Sequence, residues 1–175
     1  MTAGAPSVAA VRTVLSGVTD PEIPVITIAD LGILRDVAVD GCAITVTITP
    51  TYSGCPAMEE IRSDIGKALA LHGWSDVHVR MVLSPAWTTD WMSEDGRQKL
   101  LAYGIAPPGP RAAGPVLVQL GAPALRPGLA VRPSVECPQC GSGDTEELSR
   151  FASTACKSLW RCRVCREPFD HFKAH

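Results

Sequence analysis

The residues best able to do chemistry in this chain are its cysteines. Five of the seven lie in the last 39 residues. Cys137-Pro138-Gln139-Cys140 and Cys162-Arg163-Val164-Cys165 form two Cys-x-x-Cys knuckles with 21 residues between them. Each knuckle can set two thiolates on one metal while reversing the chain, and four sulfurs complete a tetrahedron. Zn2+ in a structural role is the expected ion, because an all-cysteine cage leaves no open position. A single iron in the same cage is the rival, and spacing does not separate the two. Cys156 has no partner by spacing, so it reads either as a spare thiol or as a buried structural residue.

Cys55 stands apart, in Thr51-Tyr52-Ser53-Gly54-Cys55-Pro56. Before it, residues 43–49 alternate apolar side chains with threonine, as a strand does. After it, Met58, Ile61, Ile65, Ala68 and Leu69 form one helical stripe. Pro56 suits the first helical position, where its missing N–H costs nothing. Cys55 therefore falls at or near the helix N-cap, where unpaired amides and the helix dipole are expected to lower a thiol pKa. The same segment also reads as a tight turn around a small buried residue. Asp20 and Glu22, in Asp20-Pro21-Glu22-Ile23-Pro24, are two carboxylates on a rigid extended turn. They read as a solvated surface turn or as a pair of acids facing a partner or metal.

The elements that must position these groups follow from patterning. Ser7 to Gly17 predicts a short helix capped by Ser7. Residues 33–39 and 42–49 predict two strands joined by the hairpin signal Asp40-Gly41, with Cys42 a small buried or half-buried residue of the second. A helix over 56–72 and a strand within 74–83 come next. The expected class is α+β, in the order helix–strand–strand–helix–strand plus a C-terminal helix near 91–103 capped by Thr89 or Asp90. Trp87, Thr88, Thr89, Asp90 and Trp91 form a loop whose tryptophans read equally as plugs closing the sheet or as anchors for another protein. Residues 106–133 hold seven prolines and four glycines and predict an irregular connector, with Val116 to Leu120 as a brief strand. The expected division is a first domain over 1–105, this linker, and a metal ribbon over 134–175. In the ribbon, Thr145–Phe151 and Lys157–Arg161 predict paired strands. Phe151, Trp160, Phe169 and Phe172 are its expected core, and Phe169 to Phe172 is expected to pack back on the first domain. His72, His78 and His171 are not expected to be ligands.

Composition excludes several classes. A net charge of −2 and 19% charged residues fit a folded protein and give no footprint for nucleic acid or an anionic membrane. No apolar run has the length of a membrane span, and the N-terminal residues lack the pattern of a signal peptide. Clustered cysteines then point to the cytoplasm, where thiols stay reduced. Residues 1–105 carry 7 basic and 12 acidic groups against 6 of each in 134–175, so an acidic body is followed by a neutral tail. There is no Gly-rich nucleotide fingerprint, no Ser–His–Asp or Cys–His grouping, and no Glu and Glu-x-x-His set on four helices for a di-iron centre.

Residues 8–83 resemble the MIP18-like, or DUF59, family of small α+β proteins associated with iron–sulfur cluster assembly. The matching pieces are Asp20-Pro21-Glu22-Ile23-Pro24, Asp30-Leu31-Gly32-Ile33, and Thr51 with Gly54-Cys55-Pro56. Pro85 to Met92, Tyr103 to Pro108, Cys156-Lys157 and Glu167-Pro168-Phe169 are similar to one branch, the D subunits of bacterial phenylacetyl-CoA epoxidase systems. Phe151-Ala152-Ser153, where that branch shows a glycine, and a long linker are the departures. The resemblance implies an accessory role in maturation, without catalysis by this chain itself, in aerobic phenylacetate degradation. It makes Cys55 the reactive or cluster-touching cysteine, with Asp20 and Glu22 as acidic neighbours. One cysteine cannot enclose a cluster, so a second Cys55 from a homodimer mate, or a thiol of the client, is implied for transient holding. The expected clients are the reductase or oxygenase subunits, met by the ribbon and the tryptophan loop. A structural or regulatory subunit is the alternative.

Overall fold

The computed structural model describes residues 5–52, 54–109 and 135–174. Most of the expected connector, with Val116 to Leu120, lies outside the described residues. The first helix, α1, spans Val8–Leu15, and the Ser7 hydroxyl accepts the Ala10 N–H at 3.2 Å. Strands β1 (Leu34–Asp40) and β2 (Ala43–Ile48) pair antiparallel across the Asp40-Gly41 turn. Helix α2 (Ala57–Ala70) then crosses over to β3 (Val77–Met81), which runs parallel to β2 and completes a sheet of order β1-β2-β3. Ile44, Val46 and Ile48 of β2 pack with Ile61, Ile65 and Leu69 of α2 and with Val11 and Leu15 of α1 in one buried cluster. Cys42 differs from expectation: it is exposed, because the hairpin turn runs through it and the strand begins at Ala43.

After β3, a single 3-10 turn over Thr89–Trp91 leads into α3 (Glu94–Ala102). The cap of α3 is Ser93, whose hydroxyl accepts the Gly96 N–H at 2.9 Å. Thr89 and Asp90 belong instead to the 3-10 turn, which Thr88 caps by accepting the Asp90 N–H.

The chain next enters a second sheet. Strand β4 (Ile105–Ala106) runs parallel to β7 (Pro168–Phe172), and β5 (Thr145–Ser149) and β6 (Lys157–Cys162) complete the order β4-β7-β6-β5. This module has a small core of Ala106, Val135, Trp160 and Phe169 beside Cys137 and Cys162. Three of its residues belong elsewhere: Ile105, Cys156 and Phe172 are buried in the core of the first module. The Phe172 ring lies 6.0 Å from that of Trp87, tilted by 56°. The ribbon is therefore seated on the α+β module through shared apolar side chains: Phe172 packs back on the first module and so leaves the ribbon core in which it was also expected, while Phe169 stays in that core. Phe151, expected in the ribbon core, is 68% exposed, with the Lys173 ammonium over its ring. It lies past the end of β5, where the strand no longer turns it inward. No helix of the described residues is long and apolar enough to cross a membrane.

Candidate functional site

The four knuckle cysteines converge. Their sulfur atoms all lie within 4.8 Å of one another, with Cys137–Cys165 at 3.7 Å and Cys140–Cys162 at 3.6 Å. A tetrahedron with metal–sulfur bonds of about 2.3 Å has edges of about 3.8 Å, so these residues fit one thiolate-bound ion. The two knuckles close alike: Gly141 N–H bonds the Cys137 carbonyl and Arg166 N–H bonds that of Cys162. Each knuckle ends on a left-handed residue, Gly141 at φ 71° and Arg166 at φ 71°. The Cys165 N–H reaches Cys162 Sγ at 3.4 Å. With the Val164 N–H, it holds that thiol down to about 7, toward the ionised form a metal needs.

The second constellation is built around Cys55. The N–H of Cys55 bonds the Tyr52 carbonyl, and the Cys55 carbonyl accepts the Met58 N–H, so the residue sits at the mouth of α2. Its half-buried sulfur accepts the Ala57 N–H and a hydrogen bond from the Tyr52 hydroxyl. These contacts favour the thiolate, yet the pKa is raised rather than lowered as the helix terminus suggested. Burial is the largest cause, and the charges of Glu22 and Asp20 add to it. Tyr52 is pushed up to about 12, by burial first and then by Cys55, with Glu22 and Cys156 contributing.

Asp20 is buried and is not a solvated turn residue. Its Oδ1 accepts the N–H groups of Glu22 at 2.8 Å and Ile23 at 2.9 Å, closing the turn that the two prolines stiffen. Burial nonetheless raises its pKa over those two bonds, and it raises Glu22 likewise, with Asp20's charge second. Cys55, Asp20 and Glu22 are thus neighbours in space although more than thirty positions separate them in sequence.

Cys156 lies apart from the metal group of the ribbon. It is 6% exposed in the first module's core, with the Thr154 hydroxyl 3.1 Å from its sulfur. Burial raises its pKa most, and the charges of Glu22 and Asp20 raise it further. Beside it, Lys157 is buried and paired with Asp170 at 3.2 Å. Lys157 is near enough to Asp20, Glu22 and Cys156 to oppose these upward shifts by its charge. No spacing or periodicity in the sequence signals that tail residues meet Glu22.

The tryptophan loop divides. Trp87 is 5% exposed and its indole N–H donates to the Leu31 carbonyl at 2.8 Å, and Thr89 is fully buried. That removes both from the expected partner-contact set, since buried side chains cannot anchor another chain. Trp91 is half-buried beneath the Arg35 guanidinium, 3.4 Å from its ring centre, and Asp90 is exposed. Behind the loop stands Asp30, which the sequence marks only as part of a motif. Its Oδ2 accepts Thr27 N–H, Thr27 hydroxyl and Lys99 Nζ at 2.6 Å, and its Oδ1 accepts the Ser93 hydroxyl. Burial pushes its pKa up, but Lys99 and Thr27 outweigh that and hold it low. Gly32, at φ 70°, has room only for hydrogen: a Cβ there would lie 2.5 Å from the Trp91 carbonyl oxygen. Asp30 and Gly32 thereby clamp the loop and α3 onto the turn before β1. His171 is half-buried, and burial lowers its pKa to about 4.

Residues 8–86 match the family described as iron-sulfur cluster assembly protein, and residues 123–173 match the PaaD zinc beta ribbon domain. The chain is 45% identical over 168 residues to a protein of Escherichia coli named as the putative D subunit of 1,2-phenylacetyl-CoA epoxidase, covering 96% of this chain and 93% of that one. It is 41% identical over 93 residues to the Fe-S protein maturation auxiliary factor YitW of Bacillus subtilis, covering 52% of this chain and 87% of that protein. The crystal structure of a DUF59 domain from Bacillus anthracis superposes with a TM-score of 0.50 at 30% identity, covering 53% of this chain and 90% of that one.

Proposed function

The chain belongs to the family of 1,2-phenylacetyl-CoA epoxidase D subunits, and from that premise we propose that it is an accessory maturation factor rather than an enzyme. It assists assembly or transfer of an iron–sulfur cluster for the reductase or oxygenase components of such an epoxidase. The relatives over the first module are named as Fe-S protein maturation factors. The observation that carries the reading is the placement of Cys55, a half-exposed thiol at the mouth of α2 beside Glu22 and Asp20. Cys55 donates its sulfur to the iron of a passing cluster and loses its proton as it does so. The two carboxylates hold the released positive charge nearby and return the proton when client thiolates take over the iron. Only ligands and protons exchange, so no oxidant or reductant is needed. In the ribbon, four thiolates with no open position favour Zn2+ in a structural role over iron. The protein acts in the cytoplasm, where these thiols stay reduced.

The test is to produce the client proteins together with this chain carrying Cys55→Ser, and to measure their iron and sulfide. A fall in both is expected, while unchanged loading would sink the reading. The name of the Escherichia coli relative, which makes it part of an epoxidase, favours a second reading in which the chain is a non-catalytic structural component of the complex. That reading predicts stoichiometric copurification and full tolerance of Cys55→Ser.

A further inference from the structure

Strand β3 is an outer strand of the first sheet, and among the described residues no strand lies beyond it. The Asp76 carbonyl accepts the Ile44 N–H at 2.8 Å, and the Val82 N–H donates to the Ile48 carbonyl at 2.9 Å. Alternate residues of a strand face the same neighbour, so Asp76, His78, Arg80 and Val82 turn their backbone groups to β2. Val77, Val79 and Met81 point theirs outward, as a row of donors and acceptors open to another strand. Above this edge lies a groove of about 490 Å3 between β3 and the flank of α2, lined by Arg62, Ser63, Gly66, Ala70, Val77 and Val79. A Cβ on Gly66 would meet nothing within 4 Å. The chain's own packing therefore does not call for glycine there, in mid-helix, where it is unfavourable. The far face of β3 carries charge of both signs. Asp76, His78 and Arg80 are all exposed, and His78 Nε2 lies 3.1 Å from Asp76 Oδ1.

We propose that this edge binds a second copy of the chain, β3 against β3, antiparallel, with His78 facing His78. Charge selects both the partner and the register. Read backwards, β3 is complementary to itself: Asp76 of each copy stands opposite Arg80 of the other, and both cross-strand pairs are of opposite sign. A pairing centred on Val79 sets Arg80 against His78 and leaves Asp76 without a charged partner. One centred on Arg80 sets like charges face to face, which is destabilising. With His78 at the centre, Val77 of each copy exchanges its outward backbone bonds with Val79 of the other. Those valines point to the side of the sheet that α2 covers, and they fill the groove beside Gly66. The two three-stranded sheets become one continuous sheet. The two-fold axis reverses the strands, so the ends of β2 that lead to Cys55 point to opposite ends of that sheet. The dimer carries two separate Cys55 sites, and the proposal is independent of the cluster-handling reading.

The experiment follows the full chain, with its ribbon metal and under reducing conditions, by sedimentation velocity over a wide range of concentration. Wild type is expected to pass from monomer to dimer as concentration rises. Arg80→Asp and Asp76→Arg should each raise the dissociation constant about fivefold or more, and the double variant should restore it. Both side chains are exposed, and an unchanged thermal transition is the control on the fold. His78→Cys reads the register, because facing residues of such a pair have Cα atoms about 4.5 Å apart, within disulfide reach. Mild oxidation should bridge two copies at position 78, mapped by mass, whereas Arg80→Cys, which faces Asp76, should form no such bridge. A chain that stays monomeric at every concentration overturns the proposal, and so does a dimer indifferent to the charge changes. A bridge formed at position 80 and not at 78 overturns the register. Amide exchange of Val77 and Val79 should slow as concentration rises. Protection independent of concentration would mean that another segment of the same chain covers the edge, and overturns the proposal as well.

Discussion

Phe172→Ala tests whether the ribbon is part of the body of the protein. The residue lies on the last strand of the ribbon, but its ring is 1% exposed inside the first module's core and packs on Trp87. Truncating a buried phenylalanine costs about 3–5 kcal/mol, as lost transfer energy plus the cavity left behind. For a chain of this size each kcal/mol lowers the midpoint by about 2–4 °C, so a fall of about 6–20 °C is expected. The assay is thermal unfolding followed both by release of the ribbon metal and by amide exchange in α2. Because the cavity opens beside α2's partners, protection in α2 must fall together with the ribbon. Phe151→Ala is the matched control: that ring is 68% exposed, and its loss is expected to stay within about 0.5 kcal/mol. If Phe172→Ala loosened the ribbon metal but left α2 exchange unchanged, the two modules would be independent and the shared core would be refuted.

Gly32→Ala meets both a positive φ and the Trp91 backbone. About 1–2 kcal/mol of strain plus about 1–3 kcal/mol of overpacking is expected. Gly41→Ala, at φ 60° with nothing within 4 Å, should cost the strain alone, and equal urea midpoints for the two variants would refute the close approach. Asp30→Asn should destabilise at neutral pH. The folded carboxylate is held below its ordinary value of 3.8, so its contribution is present above that pH and is lost as pH falls below it. The gap from wild type in denaturation curves should therefore close in acid. Arg166→Gly relieves a left-handed non-glycine residue in the second knuckle and should raise the unfolding free energy by about 0.5–1 kcal/mol after glycine's entropy is counted. Chelating the ribbon metal should free Cys156 for rapid alkylation, since metal binding supplies much of a small ribbon's folding energy. Protection of Cys156 that persists without metal would contradict the coupling.

How much of the molecule is legible in its sequence depends on how local each signal is. The knuckles are legible because each pair sits within one turn, and a tetrahedral ion asks only for two such turns in register. The strand-to-helix handover at Cys55 is legible from the switch between two-residue and helical periodicity. The direction of the Cys55 pKa is not, because the helix terminus is a local feature whereas the burial and the carboxylates that outweigh it arrive from residues 20–22. Phe151 and Phe172 look alike in sequence, and only the point at which β5 ends separates an exposed ring from a core ring. Asp20 likewise reads as a surface acid until its two backbone bonds and its buried position are seen. Cys156 is the hardest case: its neighbours Asp20 and Glu22 are over 130 positions away, and no spacing rule spans a connector of that composition.

The ribbon's four thiols are not held alike, and Cys55 and Cys156 lie in a different setting again. In the ribbon, Cys162 takes N–H donors from the turn that carries it and is held down to about 7, whereas Cys165, against the N–H of Glu167, is pushed up to about 12 by burial and the neighbouring sulfurs. Four sulfurs then share one ion, and release requires undoing the knuckles. By contrast, Cys55 and Cys156 lie in apolar surroundings under two negative charges, and both hold their protons more firmly than a free thiol. Lys157 keeps that bias from going too far, for its charge opposes the carboxylates' effect on Cys156. Cys156 is carried on the ribbon's backbone but lies in the first module's core, so how the ribbon is seated sets how deeply that thiol is buried.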